Sequence, residues 1–120
     1  MISNTKVTGQ LKATGDLGSW AFEPDDCTSG QREGFGGVVL TSSKQPERVL
    51  RVVKDPVRGS LVVVASPGRA NHVLSGDSCP RFEVSANRTS TNINDVWVVD
   101  GSVTLDCKEL SGSVTFEGCH

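Results

Sequence analysis

The chain reads as an all-β protein: an antiparallel β-sandwich, jelly-roll or immunoglobulin-like, of eight or nine short strands. Three observations predict it. Apolar residues alternate with polar ones at period two, turn residues return about every eight to twelve positions, and no segment carries a helical pattern.

In chain order, Val7, Gly9, Leu11 and Ala13 interleave with Thr8, Gln10, Lys12 and Thr14, the pattern of a half-buried strand. Gly15-Asp16 interrupts it, and residues 17–22, with Trp20, are expected to form a short second strand. Residues 23–37 make the longest turn-rich segment, holding Pro24, Asp25, Asp26, Cys27, Gly30, Gly34, Gly36 and Gly37. A structureless loop of that length is uncommon in a compact domain unless it is functional or covalently held. Residues 38–41 and 49–54 are the next strands, separated by a polar stretch containing Pro46. Asp55-Pro56-Val57-Arg58-Gly59 then supplies an Asp to bond the turn backbone, a Pro to preset φ and a Gly for positive φ. It should join 49–54 to 60–66 as a hairpin. Residues 61–65 are continuously apolar, which predicts a central strand buried on both faces.

Pro67-Gly68 is a further turn, and residues 71–74 a short strand ended by Ser75-Gly76-Asp77-Ser78. Beyond Cys79-Pro80, Phe82, Val84 and Ala86 mark another strand, and the polar stretch 87–95 is expected to be a solvated hairpin tip leading to residues 96–99. Core parity then changes from even to odd before Val103, Leu105 and Cys107, which predicts either a bulge or a tight hairpin at Asp100-Gly101. Residues 109–112 turn the chain into Val114, Phe116 and Gly118, followed by Cys119 and His120. GSVTLDC and GSVTFEGC look alike as consecutive hairpin strands do, not as an internal repeat.

At 120 residues the chain is expected to be one domain, 1–120. With 36% hydrophobic and 22% charged residues it can bury a modest core and is far from the composition of disordered chains. A net charge of -2, with both signs spread along the chain, gives no electrostatic footprint for nucleic acid or an anionic membrane. No apolar run approaches the roughly 18 residues of a transmembrane segment. Four cysteines without metal-type spacing favour disulfides, and so an extracellular, periplasmic or outer-surface location. Met1-Ile2-Ser3-Asn4 lacks the charged and apolar regions of an export signal, which is therefore expected to have been removed.

Strand geometry ranks the three possible pairings. If residues 103–107 and 113–119 form a hairpin, Cys107 sits at its turn and Cys119 at its open end, about 20 Å away, beyond the ~7 Å Cα limit of a disulfide. Folding 82–86 back on 98–107 brings Cys79 beside Cys107, with face parity off by one unless a bulge at Gly101 corrects it. Cys27 is left for Cys119. The expected bridges are Cys79–Cys107 and Cys27–Cys119.

Catalysis is not expected: the two histidines, His72 and His120, lie in no nucleophile or metal motif, and His72 reads as a loop or edge-strand residue. No metal centre or cofactor is expected. Glu23, Asp25 and Asp26, with Asp16, offer oxygen ligands for a calcium alternative without EF-hand spacing. Trp20, Trp97, Phe35 and Phe82 are the large aromatics considered for ligand contact. Trp20 and Trp97 lie within apolar runs, which favours core packing over ligand stacking, and the absence of Tyr weakens a carbohydrate reading. Asn87-Arg88-Thr89 fits a glycosylation sequon, a short pattern with frequent chance matches. Arg48, Arg51, Lys54 and Arg58 fall around one predicted hairpin and would make either a small basic patch or an exposed strand edge.

At GFGGVVL, DPVRG, GSVTLDC and GSVTFEGC the chain resembles the small disulfide-bonded β-sandwich domains of bacterial surface lipoproteins and secreted proteins. The resemblance covers most of the chain and brings no functional residues with it. The expected function is a non-catalytic extracellular or periplasmic binding or structural module of the cell envelope. Its partner, a protein or cell-surface component, would be met through a sheet face or the loops around Cys27 and Asn87. The alternative is a carbohydrate- or calcium-binding sandwich using Trp20, Trp97, Asp25 or Asp26.

Overall fold

The computed structural model describes residues 5–55, 57 and 59–120. In chain order the strands are β1 (Lys6–Ala13), β2 (Trp20–Phe22), β3 (Asp26–Ser29), β4 (Gly37–Thr41), β5 (Val49–Asp55), β6 (Gly59–Ala65), β7 (His72–Ser75), β8 (Arg81–Ile93), β9 (Val96–Asp106) and β10 (Leu110–Cys119). They form two five-stranded antiparallel sheets, ordered β2-β1-β10-β9-β8 and β3-β4-β5-β6-β7. Apart from β1 beside β10, every bonded pair is consecutive in sequence, and the chain changes sheet only after β2 and after β7. The sandwich predicted from alternation is present. Its path is a meander, without the Greek-key crossover that defines jelly-roll and immunoglobulin topologies.

The core lies where the two inner faces meet. Leu11, Phe22, Val103, Leu105, Val114 and Phe116 come from the first sheet; Val38, Leu40, Leu50, Val52, Val62, Val64 and Leu74 come from the second. Each is the inward residue of a period-two pattern, and paired strands keep these residues in cross-strand rows such as Leu40–Leu50–Val64.

Among the described residues the strands number ten rather than eight or nine because the segment expected to be one long loop contains β3 and a 3-10 turn, Gly30–Glu33. The expected second strand is divided into a 3-10 turn, Gly15–Leu17, and the short β2. Residues 87–95 are not merely a tip: β8 runs on to Ile93 and closes on β9 through Asn94 and Asp95, whose φ values of 52° and 66° give the positive-φ pair of a type I′ turn. In the β5–β6 turn, Val57 N donates to Asp55 Oδ1 at 2.8 Å and Gly59 has φ of 82°, as its chemistry predicts; Pro56 and Arg58 lie outside the described residues.

Two expectations about parity are corrected. β9 passes through Asp100-Gly101 without bulge or hairpin, its core positions being Val99, Gly101, Val103 and Leu105. The irregularities fall between Phe116 and Cys119 on β10 and between Arg88 and Asn92 on β8. Gly101 is glycine because a Cβ there would overlap the Ser85 carbonyl oxygen of β8. Cys79 reaches Cys107 without a bulge because it precedes the first paired residue, Arg81, and so escapes the pleat. β6, in turn, is central but covered on one face only: Val62 and Val64 are buried, while Leu61, Val63 and Ala65 are half-buried, because a two-layer sandwich leaves one face of each sheet outward.

Those outward faces differ in kind. On the first sheet the outward rows carry polar residues such as Lys12, Ser111, Asp106 and Arg81, or Thr8, Thr115 and Ser102. On the second, the register places Val39, Arg51, Val63 and Val73 in one row, with Val53 beside Leu61 and Val49 beside Ala65 in the flanking rows. Arg51 is the one charged residue among these, and Glu33 reaches over to it at 2.7 Å.

Both bridges are formed: Cys27–Cys119 joins β3 to β10 across the two sheets, and Cys79–Cys107 ties the start of β8 to the end of β9. These are the pairs the strand layout selects.

Candidate functional site

The segment after Cys27 and the β8–β9 hairpin, distant in sequence, meet at one end of the sandwich. The 3-10 turn Gly30–Glu33 is capped by Ser29, whose hydroxyl accepts from Gln31 N at 3.2 Å, and by Gly34 with φ of 87°. The Gln31 side chain then bridges the sheets. Its Oε1 accepts from Trp97 N at 3.1 Å and its Nε2 donates to Asp95 O at 3.1 Å, so one amide pairs with the hairpin backbone as a strand would. Phe35 folds back over Gly30, where a Cβ would overlap its ring, and Phe35 N donates to Gly30 O at 3.1 Å. Gly37, with φ of 130°, sets β4 so close to β5 that a Cβ would overlap the Val52 carbonyl oxygen.

Between these parts lies a cleft of about 560 Å³. Phe35, Trp97, Val99 and Ala86 supply its apolar lining, Gly34, Gly36 and Gly37 line it with backbone, and Lys54 and Arg88 are its charged groups. The Arg88 guanidinium carbon stands 5.4 Å from the Trp97 ring centroid, at the outer range of a cation–π contact. Lys54 is exposed, its backbone N donating to Gly36 O at 2.7 Å. The lining contains no carboxylate. Its size falls within the ~300–1,000 Å³ range of small-molecule sites, and its mix of aromatic walls with a few polar groups is their usual chemistry.

A second hollow, about 620 Å³, lies at the β7–β8 corner and is somewhat larger. It is lined by serines, Asp77, Glu83, Val84 and one ring, Phe82, and contains no cation. Convergent chemistry, not volume, favours the Trp97 cleft.

The other residues singled out in the sequence fall elsewhere. The strand register puts Trp20 at the opposite end of the first sheet from Trp97: Trp20 pairs with Ala13 and Ala13 with Leu110, whereas Val99 pairs with Cys119. Trp20 Nε1 donates to Leu17 O at 2.8 Å, its ring meets Phe22 edge-on at 6.4 Å, and the Arg48 guanidinium carbon covers its face at 4.0 Å. Arg48 Nη1 donates to Gln45 Oε1 at 2.6 Å and Gln45 Nε2 to Ala21 O at 2.6 Å, so the group latches the β4–β5 connection onto β2. Burial, then the neighbouring Arg69 charge, lowers the Arg48 pKa.

Asp25 and Asp26 do not converge. Asp25 accepts from the Ser43 amide at 3.1 Å and from the Ser43 hydroxyl, and these bonds hold its carboxyl below the ordinary value of 3.8. Asp26 Oδ1 accepts from Cys27 N at 2.9 Å, and Glu23 faces Lys44 Nζ at 3.6 Å. Among the described residues no group of three or more His, Cys, Asp or Glu is placed to hold a metal ion. The Asp16 side chain lies outside what is described.

The anticipated basic patch is dispersed: Arg48 lies on Trp20, Arg51 on the outer valine face and Lys54 in the cleft, with Arg58 outside the described residues. His72, at the start of edge strand β7, stands 3.9 Å from Glu109. Asn87 is exposed on β8 and donates to Ser85 Oγ at 2.8 Å. Gln31 carries no motif, and Lys54 and Arg88, named in the basic cluster and the sequon, are not marked there as parts of one site. The one usable signal is the density of glycine around Phe35. Among the described residues no helix is long and apolar enough to cross a membrane. Comparison with protein-family models, curated proteins and solved structures finds no match to this chain.

Proposed function

We propose that this chain is a non-catalytic binding module of an oxidising compartment outside the cytoplasm. It holds a cell-surface component in the cleft where the Cys27 segment and the β8–β9 hairpin meet. The observation that carries this reading is the cleft itself: aromatic walls from Phe35 and Trp97, two cations and glycine backbone, assembled from segments that the Gln31 amide bridges. Two disulfides with no free cysteine fit the compartment.

Co-sedimentation with isolated cell-envelope material tests it. Trp97→Ala should weaken retention at least about tenfold, the loss expected when an aromatic anchor is truncated, and Thr115→Lys on the polar outer face should leave it unchanged. Equal retention of wild type and Trp97→Ala excludes the cleft.

The outward residues of β5–β7, with Val73 exposed and Val49, Val53, Leu61 and Val63 half-buried, favour a second reading, a protein partner laid against that sheet, because an apolar surface open to solvent commonly marks an interaction site. In that case Val63→Lys, not Trp97→Ala, abolishes retention.

A further inference from the structure

We infer that the cleft selects a carboxylate-bearing saccharide, such as a uronic-acid unit of an acidic polysaccharide. The inference rests on the cleft being the binding site. Charge is the first argument. The chain has 14 acidic against 12 basic residues, yet the ionised groups lining the cleft, Lys54 and Arg88, are both cations. The acid on the adjoining turn, Glu33, is turned onto Arg51 at 2.7 Å on the outer face. A site of one sign on a protein of the opposite net sign attracts the matching ion locally and is readily screened by salt.

Shape is the second argument. Trp97 and Phe35 give flat apolar surfaces suited to the C–H face of a sugar ring, and the exposed Gly34 and Gly36 place no side chain beside them. Arg88 lies 5.4 Å from the Trp97 centroid and is exposed, so it can turn to a carboxylate without vacating a buried partner. An acidic peptide fits less well. Three of the five strands that line the cleft, β4, β5 and β9, are bonded on both sides, so an extended chain could pair only along the edges of β3 and β8.

The test is calorimetric titration of the intact, oxidised protein with an oligogalacturonate, a neutral oligosaccharide of equal length and a polyglutamate peptide. The oligogalacturonate should bind, and Lys54→Gln and Arg88→Gln should each weaken it about tenfold or more, the usual effect of losing a charge-assisted hydrogen bond. Raising the ionic strength from about 50 to about 500 mM should weaken it similarly. Both residues are exposed, so neither variant threatens the fold.

Equal binding of the neutral sugar, insensitive to Lys54→Gln but lost in Trp97→Ala, overturns charge selection and leaves the cleft reading standing. Preference for polyglutamate overturns the saccharide. Oligogalacturonate binding unaffected by Trp97→Ala overturns both readings. No binding of the oligogalacturonate overturns this inference alone, since envelope retention tests the cleft separately.

Discussion

Removing the Cys27–Cys119 bridge should cost the protein more stability than any single surface change. The bridge spans a sequence separation of 92 and the Cys79–Cys107 bridge one of 28, nested inside it. Chain-entropy arithmetic gives about 4.6 and about 3.6 kcal/mol for the two loops taken alone. With the inner bridge intact the outer loop is effectively shortened to about 64 residues and contributes about 4.3 kcal/mol. Burial acts in the same direction: Cys27 and Cys119 are 2% and 0% exposed, against 9% and 7% for Cys79 and Cys107, so alanine leaves the larger packing defect at the outer bridge.

The comparison is between Cys27→Ala/Cys119→Ala and Cys79→Ala/Cys107→Ala, each keeping the other bridge, by equilibrium urea unfolding. Against a total of ~5–15 kcal/mol, a loss near 4 leaves a marginal fold. The outer-bridge variant should have the lower midpoint, and both should show a steeper denaturant dependence because the unfolded chain expands. A loss below about 1 kcal/mol in the outer-bridge variant, or a reversed order, refutes the loop argument.

Other consequences follow from individual contacts. Gln31→Ala removes both bonds that hold the hairpin, so amides near Asn92–Trp97 should exchange about tenfold faster while those of β5 stay unchanged. Gly37→Ala and Gly101→Ala drive a methyl into the Val52 and Ser85 carbonyls and should each destabilise by about 1–3 kcal/mol, whereas Gly76→Ala, with open space around it, should be near neutral in thermal unfolding. The depressed Asp25 carboxyl contributes its stabilisation fully above its unfolded value near 3.8 and loses it as pH falls through the lower folded value. Ser43→Ala should move the Asp25 midpoint, read by carboxyl carbon NMR, back toward 3.8, and an unmoved midpoint removes the Ser43 explanation.

The parts of this fold legible in sequence are those where one residue type answers to one local constraint. Val7 to Ala13 alternate because one face of β1 is buried, and Asp55 and Gly59 make their turn from their own chemistry. The disulfide pairs follow because hairpin geometry excludes Cys107–Cys119 and the fold-back of 82–86 on 98–107 sets Cys79 beside Cys107. Where long-range packing decides, local pattern misleads. Val98 is buried although it stands outside the core cluster, and beside Gly101 it imitates a parity switch that β9 does not make. The apolar run 61–65 resembles a strand covered twice, but its odd residues form part of the outward valine face. Trp20 and Trp97 look equivalent in sequence and differ in setting: Arg48 covers one, while the other walls a cleft. The cleft was the least legible feature, since it depends on Gln31 and Arg88, ordinary surface residue types 57 positions apart brought together only by the meeting of two sheets.

The most direct test of the binding account is an amide and indole chemical-shift map of the oxidised protein as an acidic oligosaccharide is added. The account predicts shifts at Gly34, Gly36, Gly37, Lys54 and Arg88 and at the Trp97 indole, with the Trp20 indole and the valines of β5 and β6 unmoved. Shifts centred on Trp20 or on that valine face, with Trp97 silent, would contradict it.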